Sequence, residues 1–166
     1  MIFLREATTE DLELLYEWAN DARVRANSFQ TKEISYQEHT EWFGRMLKDE
    51  TIKQYVLMDR DRAVGQVRIE LQGEEATIGY SVSAANRGRG YGRMLLSLLE
   101  EKIQAELPQI HTFVAKVKPE NHTSRKLFES EDYVMKYICY EKKINSGGGY
   151  FTVSVISSMQ PPKNPV

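Results

Sequence analysis

The chain has 166 residues, 41% of them hydrophobic, which is the size of one domain and enough to bury a sizeable core. A formal net charge of -2 gives no reason to expect nonspecific binding to nucleic acid or to an anionic membrane, and no apolar run approaches the ~20 residues of a membrane-spanning helix. The single cysteine, Cys139, excludes an internal disulfide and a cysteine-rich metal cluster, and between Ile138 and Tyr140 it reads as a strand residue rather than a nucleophile.

Met1 leads directly into strand-like Ile2, Phe3 and Leu4, without a signal-peptide pattern, so the expected location is the cytoplasm. Residues 2–5 read as a first strand. Thr8 or Thr9 then caps a helix whose early turn carries Asp11 and Glu13 and whose apolar face includes Leu12, Leu15 and Ala19. Residues 20–34 read as an irregular polar segment with Asp21, Arg23, Arg25, Asn27 and Gln30. A second helix from Ser35 places Tyr36, His39 and Phe43 on one face, with Met46 or Leu47. Residues 54–58 and 63–71 form a hairpin across Asp59, Arg60, Asp61 and Arg62, and a further strand pairs from Ala76. In the second arm Glu70 alternates with Ile69 and Leu71 and projects opposite to them, where such a residue is most often exposed.

The next stretch organises the chain. Ala76, Ile78, Tyr80 and Val82 alternate as a strand does, Gly88, Gly90 and Gly92 follow, and Leu95, Leu98, Leu99 and Ile103 recur at helical spacing. A strand, a glycine turn and a helix N-terminus aim several backbone N–H groups at one point, with Arg87, Arg89 and Arg93 adding charge, and so make a cradle for phosphate or pyrophosphate. The bland alternative is a solvated basic helix start. A Walker loop is excluded because Gly-Lys-Ser/Thr is missing, and a dinucleotide fingerprint fits poorly because Arg93 stands where its third glycine belongs. Residues 110–118 then read as a strand, and Asn121 opens a short helix through Glu129. Two β-rich runs, 133–144 and 150–157, flank Asn145, Ser146 and three glycines and predict a hairpin, and residues 159–166, with three of the five prolines, read as a tail. The domain expected from these elements spans residues 1–158.

The motif Arg87-Gly88-Arg89-Gly90-Tyr91-Gly92 resembles the Arg/Gln-x-x-Gly-x-Gly/Ala signature of the GNAT superfamily of acetyl-CoA-dependent N-acetyltransferases, and it stands between a strand and a leucine-rich helix as in that family. The start Leu4-Arg5-Glu6-Ala7-Thr8 is similar to GNAT N-termini, and Asn121-x-x-Ser124 followed by Leu127-Phe128-Glu129 resembles the second GNAT motif. The resemblance implies an α/β (α+β) domain with a central mixed, mostly antiparallel twisted sheet of about seven strands flanked by about four helices. It implies acetyl-CoA as cosubstrate, held by Val82, Ser83, Ala84, Arg87, Gly88, Arg89, Gly90, Tyr91, Gly92, Arg93, Asn121, Ser124 and Phe128, and no metal. Without the family, Asn121 is an ordinary N-cap.

The segment Trp18-Ala19-Asn20-Asp21, then Val24-Arg25-x-Asn27-Ser28-Phe29, then Ile34-Ser35-x-x-Glu38-His39-x-x-Trp42-Phe43, together with Gly65-Gln66-Val67-Arg68, resembles the GNAT subgroup that acetylates nucleotide-linked 4-amino sugars, including enzymes of pseudaminic acid biosynthesis. That likeness implies Arg25, His39 and Arg68 as acceptor-binding residues, Arg25 pairing with a phosphate. The alternatives are a solvated loop charge for Arg25 and a core-edge position for His39.

For the chemistry, an amine must become a free base, a tetrahedral oxyanion needs a donor, and a thiolate must leave. In the architecture that the resemblance implies, the backbone N–H near Val82, on a strand splayed by the bulge typical of that fold, is the expected oxyanion donor, with Ser81 or Glu70 accepting the ammonium proton through water. Many GNAT enzymes carry a tyrosine where Phe128 stands, and its hydroxyl protonates the departing thiolate; Phe128 has none. Asp132-Tyr133 replaces the usual Gly-Phe or Gly-Tyr, and Tyr133, Tyr137 and above all Tyr140 are the nearby candidates for the acid; the alternative is that the thiolate, far less basic than an alkoxide, leaves without an assigned acid. Two other functions fit the same residues: acetylation of protein or peptide N-termini, and a non-catalytic acetyl-CoA-binding module. A homodimer is compatible with this reading and not required by it.

Overall fold

The computed structural model describes residues 1–141. Five strands form one sheet in the order β1 (Ile2–Glu6), β2 (Ile52–Asp59), β3 (Arg62–Gln72), β4 (Glu75–Val82) and β5 (Thr112–Ala115). The first four are antiparallel neighbours, and β5 alone runs parallel to its neighbour β4. That parallel pairing requires a crossover, which α4 (Tyr91–Glu106) supplies. The other helices are α1 (Leu12–Ala19), α2 (Ala22–Asn27), α3 (Tyr36–Met46) and α5 (His122–Ser130).

The mixed α+β sheet is thus as expected, but the tally of about seven strands and four helices becomes five and five among the described residues. The added helix, α2, lies in the segment read as irregular. It is short and lacks an apolar stripe; Asp21 caps it by accepting from the N–H groups of Arg23 and Val24. The strand expected over 110–118 is confined to Thr112–Ala115, and residues 133–141 hold no strand. The remainder of the predicted hairpin, with the tail at 159–166, lies outside the described residues. By contacts the chain divides into Met1–Val134 and a separate unit beginning at Met135.

Strand alternation sorts the sheet into two faces. Tyr55, Leu57, Val67, Ile69, Ala76 and Ile78 point to one side and bury against Leu95, Leu96, Leu99 and Ile103 of α4 and Phe128 of α5. Truncating Leu57, Ile69, Leu95, Leu99 or Ile103 to alanine removes about 2–5 kcal/mol. On the opposite side a smaller cluster of Leu15, Phe43 and Met46, with Ile52 and Trp42 packed on it, attaches α1 and α3. Asp11 is buried at the start of α1 and accepts two 2.7 Å hydrogen bonds from the Arg5 guanidinium and one from the Thr8 N–H, which anchors the first helix to β1. The polar side chains of the sheet, Gln54, Gln66, Arg68, Glu70 and Ser81, fall on this second face by their register.

Candidate active site

The β4–β5 pairing runs from Glu75↔Thr112 to Ile78↔Ala115 and stops, while β4 continues against β3 as far as Gly65↔Val82. The two parallel strands therefore part after Ile78. The Ser83 N–H bonds the Val64 carbonyl, and since successive residues of a strand turn to opposite sides, the N–H and C=O of Val82 point away from β3 into the opening. The Val82 carbonyl accepts from Arg87 Nε at 3.2 Å. Its N–H faces the gap. A bulge in β4 was expected to cause this splay, but the β3–β4 register is continuous; the one shift in the hairpin lies across Leu57/Met58, where β3 accommodates an extra residue at Val64. The early end of β5 opens the gap instead.

Beyond Val82 the chain turns through Gly88 and Gly90, both left-handed at φ 75° and 83°, with open space where a Cβ would stand. Gly90 is the N-cap of α4 and brings no side-chain acceptor, so the first N–H groups of a 16-residue helix have no side-chain cap. A glycine cradle with exposed Arg89 beside it suits a diphosphate. The other two arginines of the motif are engaged. Arg93 donates to Glu131 at 2.6 Å and to Ser130 at 3.0 Å, joining α4 to α5, and Arg87 Nη2 donates to Asp21 Oδ1 at 2.5 Å. Tyr91 donates to Asp59 at 2.5 Å, and Ser83 accepts from Asn86.

A cleft of about 720 Å³ opens beside this turn, lined on one side by Ser81, Val82, Ser83, Ala84 and Arg87 and on the other by residues of α1, α2 and their surroundings, among them Tyr16, Trp18, Asn20, Asp21 and Glu33. Ser81 Oγ accepts from Gln66 Nε2 at 3.0 Å, and Gln66 Oε1 in turn accepts from buried Gln54 Nε2 at 2.6 Å, a polar ladder across three strands. Sequence reading missed both glutamines and Asp21 as parts of the site.

Arg25, His39, Arg68 and Glu70 lie outside the lining of that cleft. The Arg25 guanidinium is spent on its own loop, donating to the carbonyls of Gln30 and Lys32 and to Ser28 Oγ. His39 is buried, stacked on Phe43 at 5.8 Å and close to Tyr16 and Trp42, with Nε2 unpartnered. Burial pushes its pKa below the ordinary histidine value, against a weaker opposing pull from the Leu12 backbone. Arg68 sits over the Trp42 ring at 5.3 Å and pairs with Glu70 at 3.1 Å, both half exposed.

On the far side of the opening, Asn121 caps α5 by accepting from the Ser124 N–H, and Ser124 Oγ lies 3.1 Å from the Tyr80 hydroxyl. Phe128 is buried, edge-on to Tyr80 at 5.6 Å and to Tyr133 at 4.8 Å. Burial, helped by Glu100 and Glu131, pushes the Tyr133 hydroxyl well above the ordinary tyrosine value. Tyr140 belongs to the separate unit and is 91% exposed.

The sequence profile of the acetyltransferase (GNAT) domain matches residues 2–133. The chain belongs to the GNAT family. It is accordingly an N-acetyltransferase with acetyl-CoA as cosubstrate. Among solved structures, this GNAT chain is similar in fold to spermidine N-acetyltransferase from Vibrio cholerae in complex with CoA and spermine (20% identity, 87% of this chain and 88% of that one, TM-score 0.76). It is also similar to aminoglycoside acetyltransferase AAC(6')-Ib with coenzyme A (19%, 82% and 86%, TM-score 0.71) and to RimL, a ribosomal alpha-N-protein acetyltransferase, with coenzyme A (18%, 82% and 81%, TM-score 0.72). Comparison with curated proteins finds no match. Among the described residues no group of histidine, cysteine and carboxylate side chains could hold a metal, and no helix is long and apolar enough to cross a membrane.

Proposed function

We propose that this GNAT enzyme moves the acetyl group of acetyl-CoA directly to a primary amine seated in the cleft beside Val82, through a ternary complex. The observation that carries this is the Val82 N–H, which opens into the gap left by β5, next to a glycine turn suited to a diphosphate. A donor fixed by the strand before reaction needs no reorganisation as negative charge develops, and losing such a donor typically lowers kcat by about 10²–10³. The Gln66 amide holds the Ser81 hydroxyl at the cleft wall, in place to accept the amine proton through water. Among the described residues no activated cysteine or serine supports an acyl-enzyme; Cys139 is exposed.

For the acceptor, we favour a UDP-linked 4-amino-4,6-dideoxy sugar. The segment resembling acetyltransferases of nucleotide-linked 4-amino sugars supplies Trp18, Asn20, Asp21 and Val24 to the wall opposite Val82. Arg25 then serves by shaping the 28–32 loop. Arg68, paired with Glu70 at 3.1 Å outside the cleft lining, is kept as an acceptor-binding residue, and Glu70 as the alternative to Ser81 for taking the amine proton through water. A second reading rests on charge: Glu17, Asp21 and Glu33 line the cleft against the single guanidinium of Arg87, a balance that favours a polyamine, an aminoglycoside or a peptide N-terminus over a diphosphate. Thiol release from acetyl-CoA, measured with the sugar nucleotide, spermidine, kanamycin and N-terminal peptides in parallel, separates the two. Turnover confined to the sugar nucleotide supports the first; turnover confined to the cations or peptides replaces it with the second.

A further inference from the structure

A proton donor eases departure of the thiolate, and the helix position that carries a tyrosine in many GNAT enzymes holds Phe128, a buried ring without a hydroxyl. Two tyrosines flank that ring, Tyr80 and Tyr133, and of the two Tyr80 has its hydroxyl paired, with Ser124 Oγ at 3.1 Å. Tyr80 lies two residues before Val82 on the part of β4 that β5 has left, so it stands about 7 Å along the strand from the oxyanion donor, beside the opening. Its ring rests edge-on against Phe128 at 5.6 Å, which brings its hydroxyl to the neighbourhood that a residue-128 tyrosine would serve. Tyr133 packs on the other side of Phe128 under the negative field of Glu100 and Glu131, a poor setting for giving up a proton and becoming an anion.

We propose that Tyr80 is the catalytic acid of this enzyme, with Ser124 as its positioning residue. This rests on the acetyl-CoA reading above. Ser124 donates its O–H to the Tyr80 oxygen, leaving the Tyr80 proton free to face the thioester sulfur. The free amine nitrogen forms the bond to the acetyl carbon, the carbon–sulfur bond breaks with its electron pair on sulfur, and that sulfur takes the Tyr80 proton. The proton shed by the new amide nitrogen returns through solvent to the Tyr80 oxygen, so the sum is acetyl-CoA plus amine giving amide plus CoA. Burial pushes the Tyr80 hydroxyl above the ordinary tyrosine value while Ser124 draws it back, so the group keeps its proton until charge develops on sulfur.

The test needs no acceptor. Binding of CoA and of desulfo-CoA is measured by calorimetry below and above the thiol pKa of about 8.5. Tyr133, with Glu100 and Glu131 acting on it, is the titratable company around this pair, and the desulfo control carries any contribution it makes. The wild type prefers CoA about tenfold or more once the thiol is ionised, as a charge-assisted hydrogen bond does. Tyr80→Phe abolishes the preference, Ser124→Ala weakens it, and Phe128→Tyr in the Tyr80→Phe background restores it. With an acceptor that turns over, Tyr80→Phe lowers kcat about 10²-fold at unchanged acetyl-CoA KM, with the same rescue. A wild type without the preference, or a Tyr80→Phe variant that melts normally and keeps it, overturns the assignment and leaves the acetyl-CoA reading standing. A chain that binds neither compound overturns both.

Discussion

Asp21 and Arg87, 66 residues apart in sequence, meet at 2.5 Å, and the carboxylate oxygen that receives the guanidinium is the one that also caps α2. One atom thus ties the acceptor-side helix to the turn that follows Val82, whose carbonyl Arg87 also holds. Burial raises the Asp21 pKa, but Arg87 and the α2 N–H groups outweigh it and hold the carboxylate below its usual range. Asp21→Ala should lose about 1–2 kcal/mol of stability, a cap and a partly buried ion pair together. A double-mutant cycle with Arg87→Ala should show coupling of about 1 kcal/mol by denaturant unfolding. Both acceptor and acetyl-CoA KM should rise in Asp21→Ala; a rise in only one would mean that the two walls of the cleft are independent.

The Gln54–Gln66–Ser81 ladder gives a sharper sign. Gln54 is 7% exposed, so Gln66→Leu leaves a buried amide unpaired and should destabilise by about 1–3 kcal/mol. Replacing both glutamines by leucine removes the donor with its acceptor and should recover much of that loss. Chemical denaturation of the single and double variants decides it: equal or additive losses would show that the ladder is packing and not polar satisfaction.

His39 predicts a pH dependence. Its folded pKa lies below the ordinary value of 6.5, so below that pH unfolding takes up a proton. The stability is fully present above 6.5 and declines as pH falls towards the depressed folded value, beneath which it levels off. His39→Phe keeps the stack on Phe43 and should flatten this limb of the pH–stability curve. Acceptor KM in the same variant tests the substrate role: an unchanged value makes His39 a packing residue of the small core.

The legible parts of this molecule are those with local causes. The run from Ala76 to Ile103 announces itself because alternation, glycines and a 3.6-residue period follow one another within a few turns, and the strand, loop and helix stand where those signals put them. Helix α2 did not announce itself, since six residues without an apolar stripe depend on Asp21 and on Arg87 from a distant segment. Side-chain destinations were less legible still. Arg25 reads equally as a ligand or a loop clamp until the carbonyls of Gln30 and Lys32 are in place, and Tyr80 reads as one more core-facing strand residue until Ser124, 44 residues on, arrives at its hydroxyl. The parity that put Gln66 opposite Ser81 was available only once the β3–β4 register was known, and the β2–β3 register that sets Gln54 on the same face shifts by one at Val64.

Two glycines of the sheet should respond in opposite ways to the same methyl group. A Cβ on Gly65 would stand 2.8 Å from the Ser81 carbonyl oxygen, a backbone atom fixed by the β3–β4 ladder, whereas a Cβ on Gly79 would meet nothing within 4 Å. Gly65→Ala must push β4 away at the residue before Val82 and should lose about 2 kcal/mol or more, together with kcat, because the N–H that faces the opening moves with the strand. Gly79→Ala should stay within about 0.5 kcal/mol of wild type. Thermal melts and turnover of the pair, read side by side, test whether catalysis depends on the placement of Ser81 and Val82: a Gly65→Ala enzyme that is destabilised but retains full kcat would separate the fold of β4 from its chemistry and remove Val82 as the oxyanion donor.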